Sequence, residues 1–261
     1  MFREVINTLS VWGIFLINLV LLLSFSFFAS YIASLLIPKK AVDQEYSRST
    51  DSILNVMGSG YGVFLGFVII TLWNHYLSIQ KIVYQEADSL SVIIRNIAVF
   101  PEKDRLPLQN TLQHYVKMVR TDEWQTMRQG KESEPAWEAL QNMTTAFQNY
   151  TPTTPKQALY YRQAIGTLGT LLANRRDRLI ALHSILSNEL RTALILGAVV
   201  IIFLSSLLKA RAGGTMRILA NICLAIVVSF NLTLALSFDY PFSGSISVSN
   251  APFYEGVLSK F

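Results

Sequence analysis

Charge is scarce in this chain of 261 residues. Asp, Glu, Lys and Arg make up 15% of it, against about a quarter in a soluble globular domain. Cysteine is nearly absent: Cys223 stands alone, which excludes an intrachain disulfide. Its place inside an apolar run makes it a small buried apolar side chain. Histidine is limited to His75, His114 and His183. None sits in a tight ligand spacing, so no metal site is expected. There is no phosphate loop, no dinucleotide fingerprint and no His-Glu-x-x-His. No nucleophile, base and orienting group can be assembled, so neither enzymatic activity nor a cofactor is expected. The net charge of +5 is modest. It suits anionic lipid headgroups, and without a concentrated basic groove it does not point to nucleic acid.

Hydrophobic residues are plentiful, 51% of the chain, and they gather in four charge-free runs. These are residues 11–37, 52–80 (apolar from Ile53 to Trp73), 192–208 and 218–238. Each can cross a hydrocarbon core of about 30 Å, which takes roughly 17–25 helical residues. The third is the shortest, so its helix is expected to begin before Arg191. Unpaired charge in oil is costly, which makes four bare windows membrane spans rather than the core helices of a soluble protein. Arg3 ahead of the first run suits a signal peptide. The run of 27 residues exceeds the usual apolar stretch of about 7–15 and reads as an uncleaved anchor.

Residues 81–189 are different material. They hold 13 of the 22 basic and 11 of the 17 acidic residues. The expected organisation is therefore 1–80, helices 1 and 2; 81–189, an extramembrane helical domain; 190–238, helices 3 and 4; and 239–261, an interfacial tail. Breaks at Pro101, Pro107, Gly130, Pro135 and the 151–155 Pro/Thr stretch divide the domain into helical pieces. The first prolongs the second span, from about residue 56 to 99, with Ile79, Val83, Glu86, Leu90, Ile93 and Ile97 as a seam. The second covers 105–128, with Leu108, Leu112, Tyr115 and Met118 or Val119 inward. The third covers 135–150, capped by Ser133, with Trp137, Leu140, Met143 or Thr144, and Phe147 on one side. The last starts near Pro155 and is expected to run unbroken into the third span along Leu168, Leu172, Arg175, Leu179, Leu182, Leu186 and Leu190. Two such antiparallel helices would bury their stripes against each other in a bundle, or against copies of the chain.

Several residues stand out. Gly58, Gly62 and Gly66 recur every four residues on the second span, with Gly60 beside them. The pattern suits close small-xxx-small helix packing; a pore-lining face is the alternative, with Phe64 and Phe67 as constrictions. Glu86 occupies an apolar seam and needs a partner. An antiparallel return helix brings His183 towards it; Lys81, Asp88, Glu189 and Arg191 are other candidates. Arg175 is a similar anomaly, at the expected height of Arg95. The run Arg175, Arg176, Asp177, Arg178 is either a solvated face or an anion-concentrating mouth. Trp73, Asn74, His75 and Tyr76 form an interfacial belt. Beyond the fourth span, Asp239 can meet a backbone amide or Arg191. Pro241 stops the helix, Gly244 allows a turn, and Phe242 re-enters the interface. The tail is thus read as a cap on the bundle where membrane and outer domain meet. Glu86, Arg175, His183, Arg191 and Asp239 together make a candidate polar cluster or anion vestibule.

Loop charges give a small sidedness bias. Lys39, Lys40, Arg48, Lys209, Arg211 and Arg217 put the short loops in the cytoplasm and the helical domain outside. Arg3, Lys81 and Arg191 count against it.

Certain stretches together resemble a bacterial family of bestrophin-like membrane proteins. They are Tyr61-Gly62-Val63-Phe64-Leu65-Gly66-Phe67, Glu86-Ala87, Tyr115 through Glu123-Trp124, and Asp239-Tyr240-Pro241-Phe242-Ser243-Gly244. The resemblance covers nearly the whole chain. It implies a multi-pass protein of the bacterial inner membrane, similar to bestrophins: pentameric anion channels with four membrane helices per subunit and a large helical cytoplasmic part. By that resemblance Gly62, Phe64 and Phe67 lie near a pore, and the helical domain faces the cytoplasm, opposite to the loop-charge reading. The acidic calcium clasp that animal bestrophins carry after the last membrane helix is lacking here, so calcium gating is not expected.

The expected fold is an all-α membrane protein with four transmembrane helices and a helical bundle inserted between helices 2 and 3. The expected function is an oligomeric ion channel, anion-conducting, a homo-oligomer and by resemblance a pentamer. Its partners would be membrane lipids and small inorganic ions. A non-conducting scaffold or sensor, whose helical domain binds a partner, is the alternative.

Overall fold

A computed structural model describes residues 2–36, 44–207 and 214–261. Lys39, Lys40, Lys209 and Arg211, and the side chains of Arg48 and Arg217, lie outside the described residues. The described chain is helical: α1 (Phe2–Thr8), α2 (Val11–Leu36), α3 (Gln44–Ile97), α4 (Glu102–Met118), a π turn (Val119–Glu123), α5 (Trp124–Arg128), α6 (Glu134–Asn149), α7 (Pro155–Ile180), α8 (Asn188–Leu207) and α9 (Gly214–Phe238). Short 3-10 turns, Ala251–Tyr254 and Gly256–Lys260, close the chain. Among the described residues four stretches are long and apolar enough to cross a membrane: Val11–Ala33, Ser52–Ile97, Asn188–Leu207 and Ile218–Phe238. They fit a multi-pass protein of the bacterial inner membrane, with the α4–α6 bundle between the second and third spans.

The helices group into two compact units. The first holds Met1–Asn74, Ser184–Asp239 and Gly244–Ile246; the second holds His75–His183, Tyr240–Ser243 and Ser247–Phe261. The tail is thus shared between them. Helix α3 is longer than expected, 54 residues, because it starts at Gln44 rather than near 56.

In the first unit, Leu22, Ala198, Ile202, Ala225 and Val228 form the core of α2, α8 and α9. Hydrocarbon gives little drive for helices to associate, so small residues and polar side chains hold such bundles. Here Asn18 Nδ2 donates to Thr233 Oγ1 at 2.9 Å, and the Ser26 and Ser206 hydroxyls meet at 3.0 Å. Cys223 departs from expectation: it is exposed on α9.

In the second unit most of the expected seam is buried; Leu172 and Trp137 are exposed instead, Trp137 taking the Arg175 guanidinium over its ring. Ile79, Val83, Leu90, Ile93 and Ile97 from α3 meet Leu108, Leu112, Tyr115 and Val119, then Met143 and Phe147 of α6 and Leu168 of α7. Ser133 caps α6, its hydroxyl accepting the Ala136 amide at 3.1 Å. Thr154 and Gln157 form a reciprocal capping box on α7, which the sequence reading missed. Phe242 does not re-enter an interface. It is buried in this core, edge-on to Trp124 at 5.8 Å between ring centroids.

The last helical piece does not run into the third span. Helix α7 ends at Ile180, and residues 181–187 are turns and bends before α8 begins at Asn188. A break frees backbone donors, and they find partners here. The Leu186 amide donates to Asp239 Oδ1 at 2.8 Å, and the Ile185 amide to the Asp239 carbonyl at 3.3 Å. The Ser187 hydroxyl accepts the Leu190 amide at 3.2 Å, capping α8.

Candidate functional site

Three arrangements hold the residues singled out in the sequence. The first is a buried ion network in the second unit. Helix α3 supplies Glu86, α4 supplies Tyr115, the π turn Glu123, and α7 Arg175 and Arg178; each is at most 1% exposed. Arg178 grips Glu86 with two nitrogens, Nε to Oε2 at 2.6 Å and Nη2 to Oε1 at 2.9 Å. Its Nη2 also donates to Glu123 Oε2 at 2.7 Å, and Nη1 lies 2.8 Å from Met127 Sδ. Arg175 Nη2 donates to Glu123 Oε1 at 2.5 Å, and its guanidinium stacks over Trp137, 4.2 Å from the ring centroid. The Tyr115 hydroxyl donates to Glu86 Oε1 at 2.9 Å. Two carboxylates thus meet two guanidiniums in a balanced cluster. Fork-on-carboxylate pairing of this kind offsets the cost of taking the charges out of water.

Electrostatics follow from that geometry. Burial pushes the Glu123 carboxyl up, but the charges and hydrogen bonds of Arg178 and Arg175 together hold it below the ordinary carboxylate value. Burial likewise works against the charge on Arg178, yet Glu86 and Glu123 raise it well above the ordinary guanidinium value. Tyr115 is raised well above 10.0, by burial first and then by the charges of Glu86 and Glu123.

The partner of Glu86 is therefore Arg178 with Tyr115, not His183, which is exposed. Arg175 meets Glu123; Arg95, its expected neighbour, is exposed. The Arg175–Arg178 run divides: Arg175 and Arg178 are buried on carboxylates, whereas Arg176 and Asp177 form a loose exposed pair at 3.9 Å. Glu86 and Arg175 are thus buried side chains held by ion pairs, Arg175 also bordering a groove of about 520 Å³ that His183 lines.

The second arrangement is a polar knot in the first unit. Asp239, fully buried at the end of α9, accepts Arg191 Nη2 at 2.6 Å on Oδ2. The Ser184 hydroxyl donates to both of its oxygens, at 2.8 and 3.0 Å. Gly244 turns the chain beyond it at φ +76°, its amide on Asn7 Oδ1 at 2.9 Å. A Cβ there would lie 2.6 Å from Ile6 Cγ2, so space as well as backbone angle demands glycine. The five residues of the expected vestibule therefore do not form one cluster. Glu86 and Arg175 share the first network, Arg191 and Asp239 the second, and His183 joins neither.

The third arrangement is the glycine face of α3. Gly62 and Phe67 are exposed; Gly58, Phe64 and Gly66 are half-buried. A Cβ on Gly58, Gly62 or Gly66 would meet nothing within 4 Å. Among the described residues nothing packs closely on these glycines. They border a groove of about 360 Å³, walled by Leu65, Ile201, Leu224 and Val228. Phe64 lies in a second groove of about 530 Å³, with Leu196 and Val200. Tyr61 and Ile201 line both.

Among the described residues no group of three or more His, Cys, Asp or Glu side chains could hold a metal ion. The sequence reading also missed Arg120. Its guanidinium reaches the carbonyls of Phe253, Leu258 (2.7 Å) and Phe261 (2.8 Å) and lies 4.4 Å from the Tyr254 ring centroid, fastening the tail to the second unit.

A family model described as the Bestrophin-like domain matches residues 20–253. The chain belongs to that bestrophin-like family. Its fold is similar to the crystal structure of a mutated bacterial bestrophin homolog from Klebsiella pneumoniae, with a TM-score of 0.68 at 12% identity, over 91% of this chain and 95% of that one. No curated protein matches the chain. The matched residues include the glycine face, the ion network, the Asp239 knot and the tail as far as Phe253, so all three arrangements belong to the bestrophin-like domain.

Proposed function

We propose that this bestrophin-like protein is the subunit of a homo-oligomeric ion channel, by resemblance a pentamer, that conducts small inorganic anions. The observation that carries the reading is the open glycine face of α3 in a chain of this family. On this spanning helix Gly62 is exposed, Gly58 and Gly66 are half-buried with nothing within 4 Å of where a Cβ would stand, and Phe67 is exposed on another flank, so the helix presents backbone and an aromatic ring to whatever lies outside the chain. In a ring of copies such a face builds a narrow, apolar constriction, where passage is set by pore width and the charge around it.

Selectivity for anions rests on the surplus of basic residues, a net charge of +5. Arg175 and Arg178 do not contribute, because Glu86 and Glu123 balance them. The buried network instead holds α3, α4 and α7 in register. Planar-bilayer recording of purified protein, its oligomeric state established first, tests the proposal. Unitary currents carried by chloride are expected. Silence across several anions and cations would overturn the reading in favour of a non-conducting scaffold.

A further inference from the structure

Helix α3 is the least covered of the four spans, yet one of its side chains is held closely. Tyr61 packs against the α2–α8–α9 core, and its hydroxyl donates to the Leu194 carbonyl of α8 at 2.9 Å. The Cδ2–Cε2 edge of its ring lies close against Gly197. A Cβ on Gly197 would fall 2.5 Å from both Cδ2 and Cε2 of that ring. No real Cβ sits so near an aromatic carbon. A glycine in mid-helix weakens the helix relative to alanine, and here the approach of the ring requires it.

The place of Tyr61 on the helix gives the contact its meaning. At 3.6 residues per turn, Gly58 and Gly62 fall on one flank of Tyr61 and Phe64 on the other. The Phe64 ring centroid is 6.4 Å from that of Tyr61. The glycine groove and the Phe64 groove are therefore separated by the side chain that docks on α8. Rolling α3 about its axis would require Tyr61 to leave both the Leu194 carbonyl and the Gly197 surface.

We propose that Tyr61 and Gly197 form a clamp that sets the rotation of α3, making Tyr61 a positioning residue for the permeation face. The role in permeation rests on the channel reading above; the clamp itself does not. The test uses the full chain in lipid nanodiscs and bilayers, with Cys223→Ser as the background. Spin labels on Val63→Cys and Phe203→Cys, both on exposed positions, report the α3–α8 setting whether or not the protein conducts. Gly197→Ala and Tyr61→Ala should each shift the label distance, and the double variant should shift it no further than Tyr61→Ala alone, because each removes the same contact. Tyr61→Phe keeps the ring on Gly197 and should keep the centre of the distance distribution. In the conducting protein the chloride-to-potassium permeability ratio should shift with the distance and return in Tyr61→Phe.

An unmoved distance in Gly197→Ala and Tyr61→Ala, or additive shifts in the double variant, would overturn the clamp. Should Gly197→Ala fail to fold, the contrast between Tyr61→Ala and Tyr61→Phe still decides it. A shifted distance with an unchanged permeability ratio overturns the positioning role. A silent parent protein overturns the channel reading and that role with it, while the distances still judge the clamp.

Discussion

Glu123 has two guanidinium partners and is fully buried. Replacing it with glutamine leaves Arg175 and Arg178 competing for one carboxylate, and breaking one partner of a buried pair costs about 3–5 kcal/mol. Glu123→Gln should therefore lower the unfolding free energy by that order, read from chemical denaturation of the reconstituted protein. Tyr115→Phe removes a single donor from Glu86 and should cost less, about 1–3 kcal/mol. The same cluster gives stability two pH limits. Glu123 has its folded pKa below the ordinary 4.5, so its stabilisation is present above that value and is lost as pH falls through the folded one. Tyr115 has its folded pKa above 10.0, so its share is complete below 10.0 and is lost as pH rises further. Thermal melts across pH should show a plateau between these limits, and Tyr115→Phe should flatten the alkaline arm. Sequence reasoning found Glu86 and Arg175 as anomalies because a charge in an apolar seam is visible by spacing alone. It misassigned their partners because a seam gives no register between helices. The assumption that α7 continues into α8 set His183 opposite Glu86. The break at 181–187 moves that meeting to Arg178.

Helices and their inner faces were the legible part at the scale of elements, since apolar residues at alternating spacings of four and three need a partner surface whatever the fold. Two local departures were not legible. A strict four/three continuation of the α4 stripe beyond Val119 points to Asp122 and Thr126. The π turn at Val119–Glu123 adds one residue and turns Glu123 and Met127 inward instead. Such turns leave no compositional mark, although they are frequent at functional sites. The break before α8 is equally unmarked, with neither proline nor glycine in 181–187. It is set by a residue more than fifty positions on, Asp239, which takes up the Leu186 amide and the Ser184 hydroxyl and pairs with Arg191. Asp239→Ala should remove these partners together and cost about 3–5 kcal/mol, the loss for a broken buried pair. Hydrogen exchange would show it locally: the Leu186 amide should lose protection before the amides of α7. Equal loss along all of α7 would instead mean that the break is fixed by something other than Asp239.

For the whole molecule the decisive question is what the open faces meet, and the glycines of α3 allow it to be put without disturbing the fold. Within one chain, alanine at Gly62 has nothing within 4 Å of its Cβ. Mid-helix glycine costs about 0.5–1 kcal/mol relative to alanine, so Gly62→Ala should stabilise the isolated subunit by that much. If this face lines a pore in the oligomer, the added methyl narrows the path. If the face packs on a copy of the chain, the methyl opens a helix–helix contact that small residues keep close. The channel reading predicts unchanged oligomer mass by native mass spectrometry, a slightly raised melting temperature, and reduced unitary current, most strongly in the triple variant Gly58→Ala, Gly62→Ala, Gly66→Ala. Dissociation of the oligomer would assign the face to subunit packing instead. Unaltered mass with unaltered current would leave it to lipid, and the constriction would then have to be built by another face of the chain. The sequence marks this stripe because glycine so regularly spaced is conspicuous in an apolar run. It cannot separate pore from packing, because both need a helix surface stripped of side chains and differ only in what the next subunit places opposite.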